Sequence, residues 1–131
     1  MKFHLTRPEG RNLITGYGES YVAVNGERLA TSVLVLADRL THWDVRTHEA
    51  LTPSVFAALA QLPVEILLLG TGARLHFPHP SLTQPLRDAG IGIEVMDTGA
   101  ACRTYNILLS EDRRVGAALI LPGAGWPAHP R

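Results

Sequence analysis

One cysteine, Cys102, is all the thiol chemistry in 131 residues. A single thiol makes no internal disulfide and no multi-cysteine zinc site, and it fits a reducing compartment. An excess of charge is missing as well. Twelve lysines and arginines balance twelve aspartates and glutamates, for a formal charge of zero. Nucleic-acid binders carry a basic excess, so no nucleic-acid partner is expected, and a polybasic membrane anchor is disfavoured. Long apolar runs are also absent. Runs such as 33–37 and 66–69 fall far short of the roughly eighteen residues of a spanning helix. The opening MKFHLTRPEGRN has no apolar run of signal length and includes Glu9, so no secretory or transit segment is expected and the protein reads as cytoplasmic. No G-x-S-x-G elbow, H-E-x-x-H pair or Gly-Lys-Ser/Thr phosphate loop occurs.

What is present is the composition of a folded domain: 46% apolar and 18% charged residues. A chain of this length makes one domain and buries about two-thirds of its surface. Residues 1–11 are mixed and polar, and the closing PGAGWPAHPR has three prolines and two glycines. Both ends read as loose, with 123–131 a tail and a single domain at 12–122.

The first half reads as β. Residues 21–24 and 27–30 flank Asn25-Gly26, which suits a type I′ hairpin turn with Val24 opposite Glu27 and Val22 opposite Leu29. VLVLA at 33–37 suits a strand covered on both faces, and 43–45 reads as a further short strand. Thr52 and Pro53 open a helix carrying Val55, Phe56, Leu59 and Leu62 at helical spacing, ended by Pro63. The second half alternates: strand 64–69, a helix between 81 and 89, strand 91–96, helix 100–109, strand 115–121. Pro85 fits the first of these helices only in its opening turn. This order makes crossovers on a parallel sheet, and the class is α/β.

Ligands of parallel sheets gather at the carboxyl ends of the strands. Two polar segments leave that edge, Gly70-Thr71-Gly72 and Asp97-Thr98-Gly99. The first is either a tight turn or a phosphate cradle. The second caps the following helix through Asp97 or Thr98, and a helix N-terminus attracts anions. Arg103 either adds a forked cation there or ties the helix to an acid. Cys102 is either a thiolate lowered by the helix end or a packed apolar residue, since it shares a face with Tyr105 and Leu109. Tyr105 and Asn106 also suit satisfied core polar groups. His76 and His79, with Pro78 between them, read as a loop and not a metal site.

Residues 94–109, EVMDTGAACRTYNILL, with Glu111, Arg113-Arg114 and VGAALIL following, resemble the signature of the Mth-type domain family. NLITGYG at 12–18, SVLVL at 32–36 and EILLLGTG at 65–72 agree with it. The resemblance implies a three-layer α/β fold with a mixed, mainly parallel central sheet and an N-terminal β-hairpin flank. It implies one pocket lined by Gly70, Thr71, Gly72, Asp97, Thr98, Cys102, Arg103, Tyr105 and Asn106. It supplies no reaction and no cofactor. Mitochondrial members act as assembly factors for respiratory complex I, which implies a protein partner in a respiratory complex or its assembly machinery. The leading expectation is therefore a non-catalytic binding or assembly-type protein. The alternative is a binder of a small anionic ligand, or a weak enzyme, using the GTG and DT-x-AACR crevice.

Overall fold

The computed structural model describes residues 10–121. Of the ends expected to be loose, 1–9 and 123–131 lie outside the described residues, as does Pro122 at the expected domain boundary. Three antiparallel strands open the fold: β1 (Ile14–Tyr17), β2 (Val22–Val24) and β3 (Glu27–Leu29), in that spatial order. The β2–β3 turn has Asn25 at φ 55° and Gly26 at φ 86°, the positive values a type I′ turn requires. Its register pairs Val22 with Leu29 and Val24 with Glu27, as expected. The flank is larger than a hairpin, because β1 adds a third strand with a register shift between Ile14 and Gly16.

The central sheet holds β4 (Val33–Leu36), β5 (Arg39–His42), β6 (Ile66–Gly70), β7 (Gly92–Met96) and β8 (Val115–Leu119), in the order β5-β4-β8-β6-β7. β6 runs parallel to both β7 and β8, whereas β4 pairs antiparallel with β5 and β8. The helices are α1 (Pro53–Leu59), α2 (Gln84–Asp88) and α3 (Thr98–Ser110). Thr52 caps α1, its hydroxyl accepting from Val55 N at 3.4 Å, with Pro53 in the first helical position. A 3-10 turn, Pro80–Thr83, precedes α2 and puts Pro85 in the opening turn of a short helix. No strand forms at 43–45. Trp43 and Val45 are buried there outside any strand, and the strand that does form is β5, which folds straight back from β4.

Alternation along the strands makes two cores. Leu68, Val115, Ala117 and Leu119 face Ala101, Cys102, Tyr105 and Leu109 of α3, together with Ile14, Val22 and Val24 of the flank. Leu67, Leu69, Ala118 and Ile120 face Phe56 and Leu59 of α1, Leu86 of α2, and Trp43. The three layers are therefore α1 with α2, the central sheet, and α3 with the small sheet. Each fully buried Phe56 or Leu59 contributes about 1.5–3 kcal/mol of transfer free energy, and α3 sits on the opposite face from α2.

Candidate functional site

The parallel strands β8, β6 and β7 end on one edge of the sheet. From there the chain leaves β6 toward the α2 face and leaves β7 into α3 on the other face. Connections that part in this way open a crevice at the strand ends. A cavity of about 400 Å³ occupies it. One wall is Gly72 and Ala73 after β6, and another is Asp97, Thr98 and Gly99 at the start of α3. Tyr17, Gly18 and Glu19, at the end of β1, and Ile120 and Leu121, after β8, close it.

Thr98 locks this corner together. Its hydroxyl donates to the Ile120 carbonyl at 2.8 Å and accepts from Gly72 N at 2.8 Å, while its own N–H donates to the Gly72 carbonyl at 2.9 Å. Gly70 is what allows α3 so close: a Cβ there would lie 2.9 Å from Thr98 Cα. Asp97 caps α3, its carboxylate accepting from Ala100 N at 2.8 Å and its carbonyl from Ala101 N at 3.0 Å. The N–H groups of Thr98, Ala100 and Ala101 are thus already bonded within the protein. Thr71 is buried, its hydroxyl donating to the Arg74 carbonyl at 2.7 Å and accepting from His76 N at 3.1 Å.

Past its first turn, the signature helix turns its chemistry inward. Cys102 is 1% exposed, and burial pushes its thiol up to about 12, against a smaller opposing pull from the Arg103 charge. A thiol so placed is protonated at neutral pH and behaves as a small apolar residue. Tyr105 is fully buried and donates its hydroxyl to the Asn12 carbonyl at 3.0 Å. Asn106 meets β1 as a strand would: its carbonyl accepts from Ile14 N at 3.0 Å and its amide donates to the Ile14 carbonyl at 2.6 Å. Arg103 is exposed and donates to the Tyr17 hydroxyl, which raises its already high pKa further.

Of the nine residues expected in one pocket, Gly72, Asp97 and Thr98 line the cavity. Gly70 and Thr71 brace its wall, and Arg103 reaches it through Tyr17. Cys102, Tyr105 and Asn106 sit in the packing between α3, the sheet and β1. Sequence reasoning missed Tyr17, Glu19 and the β8 exit. The NLITGYG segment held a signal for the first of these. Two acidic residues, Glu19 and Asp97, are among those that line the cavity. His76 stacks on His48, ring centroids 3.6 Å apart, and His79 accepts from Ser81 N at 3.1 Å. Among the described residues no three metal-ligating side chains come together, and no helix is long and apolar enough to cross a membrane.

A family model described as a protein of unknown function (DUF498/DUF598) matches residues 14–120. Similar curated proteins include the NADH dehydrogenase (ubiquinone) 1 alpha subcomplex assembly factor 3 of Mus musculus. It is 35% identical over 111 residues, which cover 83% of this chain and 60% of that protein. The Homo sapiens counterpart is 35% identical over 114 residues, 86% of this chain and 62% of that one. This chain spans about three-fifths of the length of these relatives. Among solved structures, a Bordetella parapertussis protein has a TM-score of 0.80 at 38% identity, over 86% of this chain and 97% of its own. A Bordetella pertussis protein described as a Mth938-like domain has a TM-score of 0.77 at 34% identity, over 92% of both chains. The chain shares the fold of the Mth938-like domain it matches, and by sequence it belongs to the DUF498/DUF598 family.

Proposed function

We propose that this protein is a non-catalytic, assembly-type binding protein whose partner belongs to a respiratory complex or its assembly machinery. The observation that carries this reading is the 35% identity to complex I assembly factor 3 across 83% of the chain. The geometry supports it, because Thr98, Tyr105 and Asn106 of the signature helix tie elements of the fold to one another. The lone, buried Cys102 supports action in a reducing compartment, which we take as the cytoplasm. Affinity purification from the native cell, followed by mass spectrometry, tests it. A reproducible, stoichiometric respiratory protein is expected, and repeated recovery of none would sink the proposal.

The cavity favours a second reading, a small-molecule site. An anion there would rest on Arg103 and the mouth, since Glu19 and Asp97 repel negative charge from the interior. Thermal denaturation with phosphorylated metabolites and nucleotides tests this. A specific ligand at a hundred times its dissociation constant adds about 2.7 kcal/mol. The rise in midpoint should vanish in Arg103→Ala, and a rise that persists there removes Arg103 from the site.

A further inference from the structure

Segment 66–87 contains no aspartate or glutamate, yet it includes Arg74, His76, His79 and Arg87. Its middle forms the loop between β6 and the 3-10 turn before α2. That loop shows water two large apolar side chains, Leu75 at 46% and Phe77 at 74% exposure. Phe77 is the most exposed large apolar side chain among the described residues.

This display is held in place. The Thr71 hydroxyl grips the Arg74 carbonyl and the His76 N–H from inside the loop. The His76 ring lies flat on His48, 9° from parallel. Pro78 restricts Phe77 to extended backbone, and His79 caps the turn that follows. A loop pinned at both ends loses little freedom on binding. On the neighbouring turn Arg46 and Glu49 are opposite in sign, and Arg74 is the formal charge of the loop itself.

We propose that Arg74, Leu75 and Phe77 form a docking surface for an acidic, apolar-bearing segment of a protein partner. The proposal rests on the assembly-type reading. An exposed aromatic beside an arginine is the composition of a protein hot spot, and the acid-free segment complements negative charge. A second copy of this chain is disfavoured, because a two-fold contact would set Arg74 against its own counterpart with no acid in the segment to offset it. A lipid surface is disfavoured too, since one arginine and two apolar side chains fall short of a polybasic anchor.

The test titrates isotope-labelled protein with short synthetic peptides of equal apolar content, one set bearing Asp and Glu and the other Lys, and follows backbone amide shifts. The acidic set is expected to shift amides 74–79. Leu75→Ser/Phe77→Ser should weaken that binding about tenfold or more, and raised salt should weaken it further. Equal binding of the basic set, shifts confined to other regions, or no shift with the acidic set would overturn the proposal. So would binding only to phosphatidylglycerol vesicles, or a concentration-dependent dimer abolished by the double substitution. A native partner recovered equally by wild type and the double variant would overturn this surface alone. Recovery of no partner by wild type would instead remove the assembly reading beneath it.

Discussion

Helix α3 and the loop that follows β6 are close in space and opposite in use. The helix holds the most distinctive string of the sequence, and three of its polar groups point inward: Thr98 to Ile120, Tyr105 to Asn12, Asn106 to Ile14. The loop completes no motif, neither a phosphate loop at Gly70-Thr71-Gly72 nor a metal site at His76 and His79, and it turns Phe77 to water. A specific motif can therefore be a folding instruction. Asn106 supplies the strand-like partner that β1 requires, because its carboxamide offers a donor and an acceptor in one plane, as a backbone peptide does. Chemistry offered to a partner is found where side chains are left outside, with their backbone fixed.

The strongest way to break this contrast is to cut the helix. Tyr105→Ala should destabilise the fold by about 3–5 kcal/mol, the cost of emptying a buried aromatic site. That lowers the melting midpoint by roughly 10–20 °C, and a small shift would show that Tyr105 is not a core residue. Asn106→Leu should cost about 2–3 kcal/mol, because it strands two β1 backbone groups. Hydrogen exchange should then rise first at 13–16, and uniform protection across β1 would contradict the bridge.

A finer test uses pH. The buried Cys102 thiol titrates near 12, against 9.0 in the ordinary state. Folding therefore holds a proton that the unfolded chain releases. This contribution is complete below pH 9 and is lost as pH rises from 9 toward 12. Tyr105, also raised by burial, adds a loss of the same sign. Denaturant midpoints should fall across that window, with a shallower fall in Cys102→Ala. Alkylation of the native thiol should be slow at neutral pH, and rapid labelling would overturn its placement. The smallest effect belongs to the loop: Phe77→Ser should change stability by no more than about 0.5 kcal/mol.

The sequence announced those parts of the fold that depend on local chemistry. Asn25-Gly26 sets its turn with two residues, Thr52-Pro53 starts α1, and the apolar runs mark β4, β6 and β8. What it hid depends on partners far along the chain. β5 has all four residues exposed and so carries no apolar pattern. β1 is a short strand with a register shift, held by Asn106 from 92 residues away. The site divided in the same manner. Gly72, Asp97 and Thr98 follow from the rule of strand ends, but Tyr17 and Glu19 arrive from the small sheet, whose packing no local pattern reveals. The family resemblance implies a pocket position for Cys102, Tyr105 and Asn106, whereas the structure packs them between α3, the sheet and β1. Their spacing with Leu109 was the signal that at least two of them face the core.

One experiment bears on the contrast most directly: quantitative mass spectrometry of partners captured from the native cell by wild type, Leu75→Ser/Phe77→Ser and Arg103→Ala in parallel. Wild type and Arg103→Ala should recover the same respiratory assembly partner, and the loop variant should recover it about tenfold less. Equal recovery by the loop variant, with loss in Arg103→Ala, would put the outward chemistry back on the helix.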